Sequence, residues 1–107
     1  MSGFRFMRMI VFFDLPTLTL EQRRGYTNFR KTMIKAGFVM MQESVYSRML
    51  TSPSMEYSMK HMLHECKPKE GLIQVMTLTE KQFAKIEYIV GEYTTDVITS
   101  SDGVIVL

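Results

Sequence analysis

Residues 8–38 read RMIVFFDLPTLTLEQRRGYTNFRKTMIKAGF, an apolar β-favouring run followed by a helical pattern. Ile10, Val11, Phe12 and Phe13 are β-branched or aromatic, so Phe6–Leu15 reads as a strand. Its apolar residues are continuous instead of alternating, which predicts cover on both faces. Asp14-Leu15-Pro16 ends it, because proline cannot donate to a ladder. From Thr19 the period changes. Thr19 and Gln22 form a T-x-x-Q capping box. Tyr26, Phe29, Met33 and Ala36 then recur at three- and four-residue steps, the buried stripe of a helix over Thr19–Ala36. Arg24, Lys31 and Lys35 fall on the opposite face, with Arg23 and Arg30 on its flank. Gly25 weakens this helix by about 1 kcal/mol relative to alanine, so tertiary packing must support it. Gly37 suits the position just past its end.

Outward from this stretch, Phe38–Gln42 and Val45–Leu50 are short strands with only Glu43-Ser44 between them, a tight turn or bulge. Ser52 as cap and Pro53 at the first helical position open a second helix. Met55, Met59, Met62, Leu63 and Cys66 share one face of it, and Lys67-Pro68 stops it. Leu72–Leu78 reads as a strand. Thr79–Ala84 is a short helical turn with its own T-x-x-Q box, Thr79 and Gln82. Ile86–Val90 reads as a further strand, Gly91–Gly103 is polar and turn-rich, and Val104–Leu107 suits a last short strand. The order βαββαβ plus a β tail predicts an α+β, ferredoxin-like fold. The 107 residues suit one domain, with a core over residues 1–91 and a C-terminal extension over 92–107. That fold hosts many functions and names none.

Hydrophobic residues make up 46% and charged residues 22%, which excludes wholesale disorder. A single cysteine, Cys66, excludes an intramolecular disulfide framework and a multi-cysteine zinc site. The apolar run Met9–Phe13 is too short for a signal peptide or a membrane span, so the expected compartment is the cytoplasm, with no membrane partner. Eleven methionines read as core filling. His61 and His64, at i and i+3, read as surface histidines, and Cys66 as a core thiol near a helix C-terminus.

Asp14 closes the most hydrophobic strand, which leaves two readings: a functional carboxylate at a strand end, or a side chain that caps the turn. The net charge of +2 conceals an asymmetry. Residues 1–50 hold eight basic and three acidic residues; residues 51–107 hold five basic and eight acidic. On the first helix Arg23, Arg24, Arg30, Lys31 and Lys35 face only Glu21, a one-signed stripe suited to phosphates.

F-F-D-L-P at residues 12–16, the basic helix, G-F-V-M-M-Q-E-S-V-Y at 37–46 and L-T-E-K-Q-F at 78–83 together resemble a known family. It is that of the small CRISPR adaptation proteins, the second of the two universal adaptation subunits, in wording closest to members from type II systems. The resemblance implies a homodimer whose C-terminal strands pair across to the other subunit. It implies partnership with the CRISPR integrase subunit, two dimers of which the homodimer bridges, and binding of double-stranded protospacer and array DNA. Arg23 and Arg24 match arginines that the family places early in its first helix. The resemblance also implies a metal-dependent endonuclease on RNA or DNA, in which Asp14 of each protomer is catalytic and shares a magnesium ion with its mate. Ser44 and Tyr46 match the neighbouring S-V-F motif. A toxin-like ribonuclease of the same fold is a third reading. The apolar end, Val104, Ile105, Val106 and Leu107, is expected to add a strand to a partner's sheet edge. The acidic C-terminal half is expected to help dock the integrase.

Overall fold

The computed structural model describes residues 5–92, which form β1 (Met7–Asp14), α1 (Leu20–Lys35), β2 (Val39–Gln42), β3 (Val45–Leu50), α2 (Pro53–Cys66), β4 (Leu72–Thr79) and the single turn α3 (Glu80–Phe83). The strands make one antiparallel sheet in the order β2-β3-β1-β4. That order, with α1 and α2 on one face, is the ferredoxin-like arrangement.

The caps sit where the sequence places them. Thr19 Oγ1 accepts from the Gln22 amide at 3.0 Å while Gln22 Oε1 accepts from the Thr19 amide at 2.9 Å. Ser52 accepts from the Met55 amide, and Thr79 and Gln82 repeat the reciprocal box. Between β2 and β3 the turn places Ser44 at φ 66, the register shifts between Met40 and Gln42, and the Ser44 carbonyl accepts from the Phe13 amide at 3.0 Å.

Side chains of a strand alternate between faces. Met9, Val11 and Phe13 point toward the helices, where they pack with Phe29, Met33, Phe38, Tyr46, Leu50 and Leu63 in one core. Phe13 is the hub of the aromatic part: its ring lies 5.3 Å from Phe29 edge-on, 5.5 Å from Tyr46 and 6.1 Å from Tyr26. Arg8, Ile10, Phe12 and Asp14 therefore take the other face, beside Val45, Ser47 and Met49 of β3 and Leu72, Gln74, Met76 and Leu78 of β4. At one end of this open face Arg8 pairs with Glu80 through two hydrogen bonds of 2.7 and 3.1 Å and lies over the Phe83 ring, pinning α3 to β1.

Gly71 joins the α2–β4 loop to the end of β1. Its φ is +114, and a Cβ there would come within 2.6 Å of a Leu15 methyl and 3.0 Å of the Asp14 carbonyl. Only glycine suits both the backbone angle and the close approach.

Two expectations are corrected. Ile86–Val90 is not a strand: the chain is irregular over 86–88, bends at 89–90 and joins no strand of the sheet. The segment shares a hollow with Met40, Met41 and Gln42 of β2 without pairing to that strand, and Ile89 and Val90 stay 83% and 90% exposed. Core filling also covers only some of the methionines. Met9 and Met33 are buried, and Met55, Met59 and Met62 pack against the core, but Met40, Met49 and Met76 are exposed on the sheet. Val104–Leu107 lies outside the described residues.

Candidate nucleic-acid interface

Phe29 and Met33 anchor α1 to the sheet, which turns Arg24, Asn28, Lys31 and Lys35 to solvent at i, i+4, i+7 and i+11. At 1.5 Å per residue, the stripe from Arg24 to Lys35 is about 16 Å long. Among the described residues, none of its three cations has an ion-pair partner.

Arg23, Arg30 and Arg48 make bonds that hold the fold. Arg23 donates from Nη1 to the Leu18 carbonyl at 2.9 Å and the Thr17 carbonyl at 3.3 Å, fastening the loop between β1 and α1. Arg30 is half-buried and donates from Nε to the Tyr46 hydroxyl at 3.0 Å. Arg48 donates from Nε to the Ala36 carbonyl at 2.7 Å, closing the end of α1. Its Nη1 reaches the Met49 carbonyl at 2.8 Å and Met55 Sδ at 3.0 Å. Of the five cations expected from sequence, Arg24, Lys31 and Lys35 line up on one face, Arg23 is exposed beside them while fastening the loop, and only Arg30 is drawn into the fold.

Asp14 stands on the opposite side of the molecule. Its carboxylate is exposed and makes no hydrogen bond among the described residues, so it does not cap the turn. It lines a shallow hollow of about 160 Å³ with Ser44, Val45, Leu72 and Gln74. Ser44 shares this hollow. Tyr46 does not: it is 2% exposed, on the helix side of the sheet, and its hydroxyl is taken by Arg30. The three residues matched to the nuclease motif are therefore split between two faces.

The remaining candidates stay apart. His61 is exposed and stacks on Tyr57, with ring centroids 6.3 Å apart. The His64 carbonyl accepts from Lys67 Nζ at 3.0 Å. Cys66 is half-buried, and desolvation pushes its thiol above the ordinary cysteine range, against a nucleophilic role. No group of three or more His, Cys, Asp or Glu side chains suited to a metal occurs among the described residues. No described helix is long and apolar enough to cross a membrane.

Replacing Arg30 by alanine is expected to lower stability by about 1–2 kcal/mol, because it strips the donor from a buried hydroxyl. Urea unfolding reads this directly. Tyr46→Phe should relieve part of the loss when combined with it, and an Arg30→Ala protein as stable as the parent contradicts the assignment.

The chain is similar to known proteins along most of its length. The family model for CRISPR associated protein Cas2 matches residues 7–86. The CRISPR-associated endoribonuclease Cas2 of Treponema denticola is 46% identical over 101 residues, covering 94% of this chain and all of that one. Its namesake from Streptococcus mutans serotype c is 45% identical over 101 residues, covering 94% of this chain and 93% of that one. Among solved structures, a crystal structure of Cas2 superposes with a TM-score of 0.61 at 19% identity, covering 89% of this chain and 98% of that one. The Streptococcus pyogenes Cas2 crystal structure at pH 6.5 does so with a TM-score of 0.61 at 21% identity, covering 78% of this chain and 99% of that one. With the family model spanning residues 7–86 and relatives up to 46% identical matched over nearly their full length, the chain belongs to the CRISPR-associated Cas2 family.

Proposed function

We propose that this chain serves as the DNA-binding structural subunit of the CRISPR spacer-acquisition complex, bridging integrase dimers as a homodimer and gripping duplex DNA by its backbone. The observation that carries this reading is the stripe of Arg24, Lys31 and Lys35, exposed and unpaired among the described residues. Cations spaced along a rigid helix suit phosphates and carry no sequence information. The apolar open face supports the homodimer. Leu72 and Met76 are 54% and 50% exposed there, and Met49 joins them, a surface that water solvates poorly and a second copy would cover.

A metal-dependent endonuclease acting on RNA or DNA at the Asp14 pair is the second reading, favoured by the aspartate's place on that same face. Two copies facing each other there would bring together two carboxylates, whose mutual repulsion favours a cation between them. Magnesium needs only one or two carboxylates with water and substrate phosphate, so Asp14 from each copy fits it. Bound there, the ion would polarise a phosphate and lower the pKa of a water. Gln74 and Ser44, beside Asp14 in the hollow, offer polar contacts but no general base.

Replacing Arg24, Lys31 and Lys35 together by alanine is expected to weaken binding to duplexes of any sequence. The slope of log K against log salt should flatten by about 0.9 for each phosphate that the variant no longer neutralises. Fluorescence anisotropy over a salt series measures it, and an unchanged slope places the DNA elsewhere. Asp14→Asn separates the two readings: spacer acquisition in cells should persist while any magnesium-dependent cleavage disappears. Acquisition abolished by a folded Asp14→Asn dimer would favour the nuclease.

A further inference from the structure

Gly25 interrupts α1 at a position where alanine would be the better helix former. The α2–β4 loop explains it. A Cβ at position 25 would lie 3.2 Å from Pro68 Cβ, so glycine lets the loop close against the helix. Proline, with its fixed φ, gives that loop a defined shape. The loop and α1 then enclose an open cleft of about 560 Å³, lined among others by Leu15, Arg24, Lys67, Pro68 and Lys69. Arg24 and Asn28, the first two residues of the solvent-facing stripe, line the cleft, so it runs beside the first turns of α1 and meets the stripe there.

We propose that this cleft is a second phosphate-contact site, in which Lys67 and Lys69 join Arg24 to hold the nucleic-acid backbone as it leaves α1; the proposal rests on the duplex-binding reading above. The present partners of the two lysines are weak. Lys67 Nζ donates to the His64 carbonyl at 3.0 Å, an exposed bond that leaves the charge unneutralised. Lys69 Nζ pairs with Glu21 at 3.4 Å, with the two side chains 86% and 76% exposed. An ion pair so fully in water gives little stability, and a phosphate competes with it readily. The second carboxylate on the rim, Glu70, accepts from Gln22 Nε2 at 2.9 Å and is held to the helix. In the unbound protein Glu21 therefore occupies the lysine that the DNA would take. Removing its charge should strengthen binding, the opposite sign from removing a lysine.

The test is the salt dependence of binding of the full chain to a fluorescently labelled duplex. Lys67→Gln with Lys69→Gln should flatten the slope by about 1.8, two phosphates at about 0.9 each. Lys67→Arg with Lys69→Arg should retain the parent slope, and Glu21→Gln should tighten binding at every salt concentration. If the Gln pair keeps the full slope while the Arg24, Lys31 and Lys35 triple variant flattens it, the cleft proposal is overturned and the duplex-binding reading stands. If neither set changes the slope, both are overturned. An Arg pair that loses the slope as the Gln pair does would mean that loop shape is responsible, which also overturns the proposal.

Discussion

The edge-on packing of Phe13 against Phe29, with ring centroids 5.3 Å apart, ties the central part of the sheet to α1. Each ring is buried, and Tyr46 and Tyr26 close around Phe13 from β3 and from the preceding turn of α1. Aromatic pairs of this geometry add about 0.5–1.5 kcal/mol beyond the area they bury. Their larger consequence is orientation. Burying Phe13 forces Asp14, its neighbour in an alternating strand, onto the opposite face. Burying Phe29 and Met33 forces Arg24, Lys31 and Lys35 outward. One packed pair of rings thus orients both candidate surfaces and puts them on opposite sides of the sheet.

Those surfaces differ in chemistry. The helix layer presents exposed positive charge along one line, and charge of that kind binds phosphate at any sequence. The open sheet face presents methionine, leucine and valine, with Asp14 at one end and the Arg8–Glu80 pair at the other. An apolar face suits a protein partner, and a single acid per copy gains chemical meaning only when a second copy supplies another. Under the proposed function this separation has a use: a homodimer closed through the sheet faces would leave both helix layers free for DNA.

Local features of the fold were legible in the sequence. The caps at Thr19, Ser52-Pro53 and Thr79 depend on neighbours within one turn, and each forms as read. Ile86–Val90 has a strand's local pattern but forms none, because a strand exists only where its backbone pairs with a neighbour, which local pattern does not show. The site was half legible. Charge counting could not separate Arg24 from Arg23 and Arg30, because engagement depends on what lies across the core. A signal for Arg30 did exist: it follows the buried Phe29, and a buried tyrosine hydroxyl on β3 requires a partner. Arg48 likewise falls on the same side of β3 as Tyr46 and Leu50, facing the core, where a cation must be holding something. The reason for Gly25 was invisible, since it lies in Pro68, far along the chain.

Adding a short duplex to the isotopically labelled chain, and following its backbone amide shifts by NMR, tests directly whether the helix layer carries the DNA. The largest shifts should fall on α1 around Arg24, Asn28, Lys31 and Lys35 and fade as salt is raised. Shifts centred on Asp14, Ser44 and Gln74, with α1 silent, would contradict that account and place the nucleic acid on the open sheet face.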